Sequence, residues 1–155
     1  MIRKAVQSDI PALQSLLRQV LTIHANGRPD VFKHGTTKYT ENELSEILEN
    51  NKTPIFVYVD ANDCVHGYVF CQYHSIENNN ILQDLHYLYI DDLCVDESQR
   101  GLHIGKQLFE FVKQEAKAHG CSSIRLNVWD LNDSALAFYQ KMGFLPLSHK
   151  MEYSV

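Results

Sequence analysis

The stretch Leu85–Val128, LHYLYIDDLCVDESQRGLHIGKQLFEFVKQEAKAHGCSSIRLNV, decides the fold. Leu85 to Val95 is aliphatic and aromatic and reads as a strand. Ile104, Leu108, Phe111, Val112 and Ala116 then step by three or four residues, the spacing of a helix with one apolar face. Gly120 follows in the position of a helix C-cap. Ile124, Leu126 and Val128 alternate as another strand, over about residues 122–129. Two strands joined through a helix pair in parallel with a right-handed crossover.

Upstream, Ile55–Val59 and residues 65–76 read as strands joined at an Asn62-Asp63 turn, and Asn78-Asn79-Asn80 marks a turn into Leu85. Three strands with such short links pair antiparallel. Residues 2–6 form a short strand, Ser8 reads as an N-cap with Pro11 in the first turn, and Ile10, Leu13, Leu17, Val20 and Leu21 carry a helix to Asn26–Asp30. Thr40 and Glu43 have capping-box spacing before Leu44, Ile47 and Leu48. Downstream, a helix from Asp133 to Met142 stops at Gly143, and a final strand closes the chain. The predicted order is β-α-α-β-β-β-α-β-α-β, an α/β domain spanning 1–155 with helices on both faces of a mixed sheet.

Composition limits the function. At 155 residues and 17.9 kDa, scaling gives roughly 26,000 Å² of unfolded surface against about 8,000 Å² folded, enough for a real core. Lys and Arg number 14 against 19 Asp and Glu, a net charge of -5, which lacks the basic footprint of a nucleic-acid binder. No apolar run reaches the ~20 residues of a membrane span, and MIRKAVQSDIPAL lacks a signal peptide's apolar stretch. Cys64, Cys71, Cys94 and Cys121 show no Cys-x-x-Cys spacing and read as reduced thiols. The eight histidines show no metal-ligand spacing. The expectation is a cytoplasmic, metal-free domain.

Chemistry concentrates between the third strand and its helix. Arg100, Gly101, Leu102, His103, Ile104, Gly105 and Lys106 fall where free backbone N–H groups and the positive end of the helix dipole favour a phosphate or pyrophosphate. Gly101 and Gly105 would let backbone approach a ligand, and Arg100 and Lys106 add charge. The spacing fits neither a Walker A loop nor the dinucleotide Gly-x-Gly-x-x-Gly fingerprint. On the loop alone, an ordinary glycine turn before a core helix reads equally well.

These residues resemble the GNAT superfamily of acyl-CoA-dependent N-acetyltransferases. Ile90-Asp91-Asp92-Leu93-Cys94-Val95 followed by Arg100-Gly101-Leu102-His103-Ile104-Gly105 is similar to its central motif. Asn132, Ala135, Phe138, Tyr139, Gly143 and Phe144 match a second one in the expected order. His103 departs from the pattern by occupying the motif's first glycine position; its imidazole is expected to point away while the backbone N–H donates.

The resemblance implies a mostly antiparallel sheet of six to seven strands around a central parallel βαβ unit, and direct acetyl transfer from acetyl-CoA to an amine. It assigns Tyr139 as general acid and Asn132 to the coenzyme's pantetheine arm. Backbone N–H groups of Leu93, Cys94 and Val95 would serve the oxyanion, and the Arg100–Lys106 loop the diphosphate. Asp91 aligns with a family base, one methylene shorter, so a water relay is expected. Asp91 and Asp92 point to opposite faces if the strand is regular, unless a bulge changes the parity. Asp92, Asp30 and Phe32 are the candidate acceptor residues. Dimers are frequent in similar proteins, so a homodimer is compatible. The other reading is a silent acyl-CoA-binding module, which would need neither Tyr139 nor Asp91.

Overall fold

The computed structural model describes all 155 residues. Strands β1 (Ile2–Lys4), β2 (Ile55–Val59), β3 (Val65–Ile76), β4 (Leu85–Val95) and β5 (Ser123–Leu126) form one sheet in sequential order. The first four pair antiparallel and β4 pairs with β5 in parallel. Helices are α1 (Ile10–Gly27), α2 (Glu41–Glu49), α3 (Ile104–Ala118) and α4 (Asp133–Lys141). None is long and apolar enough to cross a membrane.

Local chemistry accounts for most boundaries. At α2, Thr40 accepts the Glu43 N–H while the Glu43 carboxylate accepts the Thr40 N–H, so the capping box is formed. Two expectations are corrected. Ser8 does not cap α1, because Gln7–Asp9 is a 3-10 turn and the chain enters α1 through Asp9. The Asp9 carboxylate accepts from the Val6 N–H at 2.8 Å and pairs with Arg3 at 2.7 Å, tying β1 to the start of α1. The strand count is five rather than six to seven, because the chain after Gly143, where a closing strand is expected, makes no ladder.

Strand alternation divides the core between two faces. Ile55, Val57, Val59, Tyr68 and Phe70 meet Leu13, Leu16, Leu17 and Leu44 from α1 and α2. Phe56, Val69, Cys71, Leu88 and Ile90 meet Ile104, Leu108, Phe109 and Val112 from α3. Covering both faces of β4 fixes the strand on which the candidate site is built.

Candidate active site

β4 changes at Asp91. Its pairing with β3 runs in register to Cys71↔Ile90 and resumes at Phe70↔Asp92, leaving Asp91 as an extra, bulged residue. The core records the consequence: Leu88 and Ile90 face α3, whereas Cys94 faces α1 and α2, a reversal no regular strand permits. Both carboxylates therefore reach one cation. Lys38 Nζ lies 2.9 Å from Asp91 Oδ2 and 3.6 Å from Asp92 Oδ2, and the Tyr39 hydroxyl donates to Asp91 Oδ2 at 2.7 Å. The regular-strand expectation of opposite faces is corrected by this bulge.

The other edge of β4 opens at the same point. Ile90↔Leu126 is the last pair with β5, yet β4 continues to Val95 with β3 alone beside it. Leu93, Cys94 and Val95 thus line a gap between parallel strands. Cys94 is buried, its thiol lies 3.7 Å from the Leu16 carbonyl, and burial pushes its pKa up to about 12. A protonated thiol is no nucleophile at neutral pH. Burial, opposed by Lys38 and reinforced by Asp91, raises the Asp92 carboxyl to about 6. The Tyr68 hydroxyl, fully buried, has no hydrogen-bond partner; burial first, then the Asp92 charge, holds it well above the usual phenol range.

Above the gap stands the start of α3. Gly101 has φ +85° and His103 φ +60°. His103 thus has a left-handed backbone, with its side chain exposed, a strain of roughly 1–2 kcal/mol. No side chain caps α3, in contrast to α2 and α4. Its first-turn N–H groups remain available to an anion, with Arg100, Leu102 and Lys106 exposed around them and Ile104 buried beneath. Gly105 also sits at a packing contact. A Cβ there would lie 3.3 Å from Phe138, so this glycine lets α3 and α4 touch.

α4 brings Tyr139 beside this seam. Its ring packs edge-on to Phe138 and Phe144 at 5.3 and 5.5 Å. Burial first, then Asp92 and Cys94, hold its hydroxyl well above the usual phenol range, so it stays protonated. Asn132 Oδ1 caps α4 by accepting the Ala135 N–H at 3.2 Å, which leaves its amide NH₂ as the group free to meet a ligand.

The connection 28–40 reaches the carboxylate pair through Lys38 and Tyr39. Phe32 packs edge-on to Trp129 at 4.8 Å and against His24 at 5.0 Å, spanning α1 and the β5–α4 connection. Asp30 is held at the surface by Arg28, at 2.7 Å, and is not brought to the carboxylate pair. Lys38 and Tyr39, which the sequence reading missed, reach that pair instead. Their only sequence signal is a cation and an aromatic just before the Thr40 capping box.

Comparison with known proteins gives concordant results. The family described as "Acetyltransferase (GNAT) family" matches residues 17–144. Thialysine N-epsilon-acetyltransferase of Bos taurus is 29% identical over 155 residues, covering 92% of this chain and 82% of that one. A mutant of the BH1408 protein from Bacillus halodurans has a TM-score of 0.96 at 30% identity, covering 100% of this chain and 99% of its own. An aminoglycoside acetyltransferase from a soil metagenomic sample shares the fold at TM-score 0.73 and 18% identity, covering 100% and 95%.

Proposed function

The chain belongs to the GNAT acetyltransferase family, and on that premise we propose that it transfers an acetyl group from acetyl-CoA directly to a primary amine, through a ternary complex in the cytoplasm. One observation carries the reading: the bulge that turns Asp91 and Asp92 to a common side coincides with the parting of β4 from β5. A bulge merely tolerated in a core strand has no reason to fall there.

Each need of the reaction then meets a group. An alkyl ammonium has a pKa of about 10.4 and attacks only after losing a proton. The Asp91–Asp92 pair receives it, Asp92 being the member raised to about 6. Asp91, already engaged by Tyr39 and Lys38, orients the pair. The buried, partnerless Tyr68 hydroxyl beside this charge suits a water that relays the proton. Backbone N–H groups of Leu93–Val95 stabilise the tetrahedral oxyanion. The uncapped N-terminus of α3, with Arg100 and Lys106, takes the diphosphate, and the Asn132 amide the pantetheine arm. Acetyl-CoA supplies the activated acyl group. Tyr139, held protonated, returns a proton to the departing thiolate. No acyl-enzyme forms, consistent with a protonated Cys94.

The acceptor class remains broad: a small amine, or a protein N-terminus or lysine. Two carboxylates beside an opening favour a cation, and the bovine relative named for thialysine puts lysine-like amines first for trial. Phe32 and Trp129 offer an apolar wall to such a stem. Thiol release from acetyl-CoA, followed over lysine analogues, polyamines, aminoglycosides and peptides, should show turnover on at least one amine. Tight coenzyme binding with silence on all of them would instead identify a binding module.

A further inference from the structure

Upstream of the carboxylate pair the sheet carries a second polar surface that the chemical step leaves unused. Leu88, Ile90, Ile124 and Leu126 turn toward α3, so alternation sends Tyr87, Tyr89 and Arg125 to the opposite face. Register sets His74 beside Tyr87 and Gln72 beside Tyr89 on that face. Asp91 is the next position on it, within reach of Lys38 and Tyr39. Helices α1 and α2 cover this face farther along β3, over Tyr68 and Phe70. The upstream side chains join neither core.

They are nevertheless ordered. The His74 imidazole stacks on the Tyr87 ring at 5.1 Å and 10°, and the Arg125 guanidinium lies 4.5 Å from the centre of the same ring. Because β4 runs between β3 and β5, Tyr87 stands between imidazole and guanidinium. His74 is steadied in turn by Gln72, with Nε2 and Oε1 2.9 Å apart. Stacking fixes the plane of a guanidinium and leaves the N–H donors along its edge free. Arg3 pairs with Asp9 and Asp63, and Arg28 with Asp30 and Glu152. Arg125, only partly exposed, enters no ion pair or hydrogen bond and meets the ring alone. An oriented cation that no acid of the chain meets is fitted to an anion from outside.

We propose that this stack reads the far end of the acceptor, so that the chain selects primary amines carrying an anion, carboxylate or phosphate, remote from the reacting nitrogen. The inference rests on the acetyl-transfer reading and deepens it by naming the class of acceptor. Arg125 registers with Tyr89, about 7 Å from Asp91 along β4, and leans toward Tyr87, about 13 Å from Asp91 on the same spacing. The amine then meets Asp91 and Asp92, the stem crosses Tyr89, and the anion meets Arg125. Opposite charges at the two ends also reject a polyamine, whose second cation would face Arg125.

A set of amines with one common stem tests this: hexylamine, hexanediamine, aminocaproate and aminohexyl phosphate, each followed by thiol release from acetyl-CoA. An anionic member is expected to exceed hexylamine in kcat/KM by about tenfold, through KM, the effect of one hydrogen bond to a charged group. Hexanediamine should be the poorest, and whichever anion gains more identifies the natural one. Arg125→Gln should bring the ratio of anionic to neutral amine close to one. Side-chain NMR of the unaltered chain needs neither turnover nor a folded variant: aminocaproate or aminohexyl phosphate should shift the Arg125 Nε–H signal, and hexylamine should not. Equal kcat/KM across the set, a preference that survives Arg125→Gln, or an unmoved Arg125 signal overturns the proposal and leaves acetyl transfer standing. Silence on every amine with the Arg125 shift retained would instead remove acetyl transfer and keep the anion site. Silence without the shift removes both.

Discussion

The part of the chain up to Ala116 and the part after it differ in how completely they are packed. The first supplies every buried residue, among them Leu13, Leu17, Tyr68, Leu88 and Leu108. The second, holding β5 and α4, supplies none. The candidate site lies on the join: the carboxylates, Leu93–Val95 and the start of α3 belong to the closed part, Asn132 and Tyr139 to the open one. Close packing holds the carboxylate pair rigidly in place. A loosely covered α4 gives Tyr139, the proposed acid, more room to adjust.

The largest expected effect tests that contrast. Leu108 is fully buried, so Leu108→Ala should destabilise the protein by about 3–5 kcal/mol. Leu136, only partly covered on α4, should cost about 1 kcal/mol on the same change, since less area and little cavity are involved. Urea unfolding at low protein concentration measures both. Equal losses would erase the difference between the two parts.

Next comes Tyr139→Phe, which removes one oxygen from the open part. Turnover should fall about 10²-fold or more, roughly 2.7 kcal/mol in the barrier, with acetyl-CoA affinity and unfolding midpoint nearly unchanged. Loss of affinity in proportion to turnover would make the ring a packing element alone.

Asp92 tests the closed part with a definite sign. Its carboxyl titrates near 6 when folded, against 3.8 in the unfolded chain, so the folded state binds the proton more tightly. The stability this supplies is complete below pH 3.8 and declines as pH rises through 6. Asp92→Asn should therefore raise stability at pH 8, by on the order of 1–2 kcal/mol, and leave it unchanged at acid pH. Turnover should drop, and the loss of unaltered-enzyme activity below about pH 6 should vanish from any residual rate. Destabilisation at pH 8 would mean that the negative charge is needed for the fold.

The same division governs what the amino-acid order disclosed. The helix faces, the Thr40–Glu43 box, the 65–76 and 85–95 strands and the parallel βαβ unit follow from local periodicity and capping, and the two motifs located Tyr139 and the loop before α3. The bulge escaped detection because no period marks an extra residue, and it reverses the facing of all that follows. Lys38 and Tyr39 escaped because they meet Asp91 across more than 50 positions. The closing strand shows the converse. Its alternation is clear in the order of residues, yet a strand needs a neighbour, and alternation alone supplies none.

The smallest expected effect concerns the departure at position 103. A side chain at φ +60° costs roughly 1–2 kcal/mol, and glycine would relieve this while losing about 0.5–1 kcal/mol through its freer unfolded chain. His103→Gly should thus gain about 0.5–1 kcal/mol in thermal unfolding. Because its backbone already has the left-handed form and its imidazole is exposed, acetyl-CoA affinity should hold within about twofold, less than RT of change. A tenfold rise in affinity would show the imidazole obstructing the diphosphate, and a tenfold fall would make it a ligand. Either outcome would assign position 103 a binding role of its own, beyond shaping the turn that leaves the N–H groups of α3 uncapped.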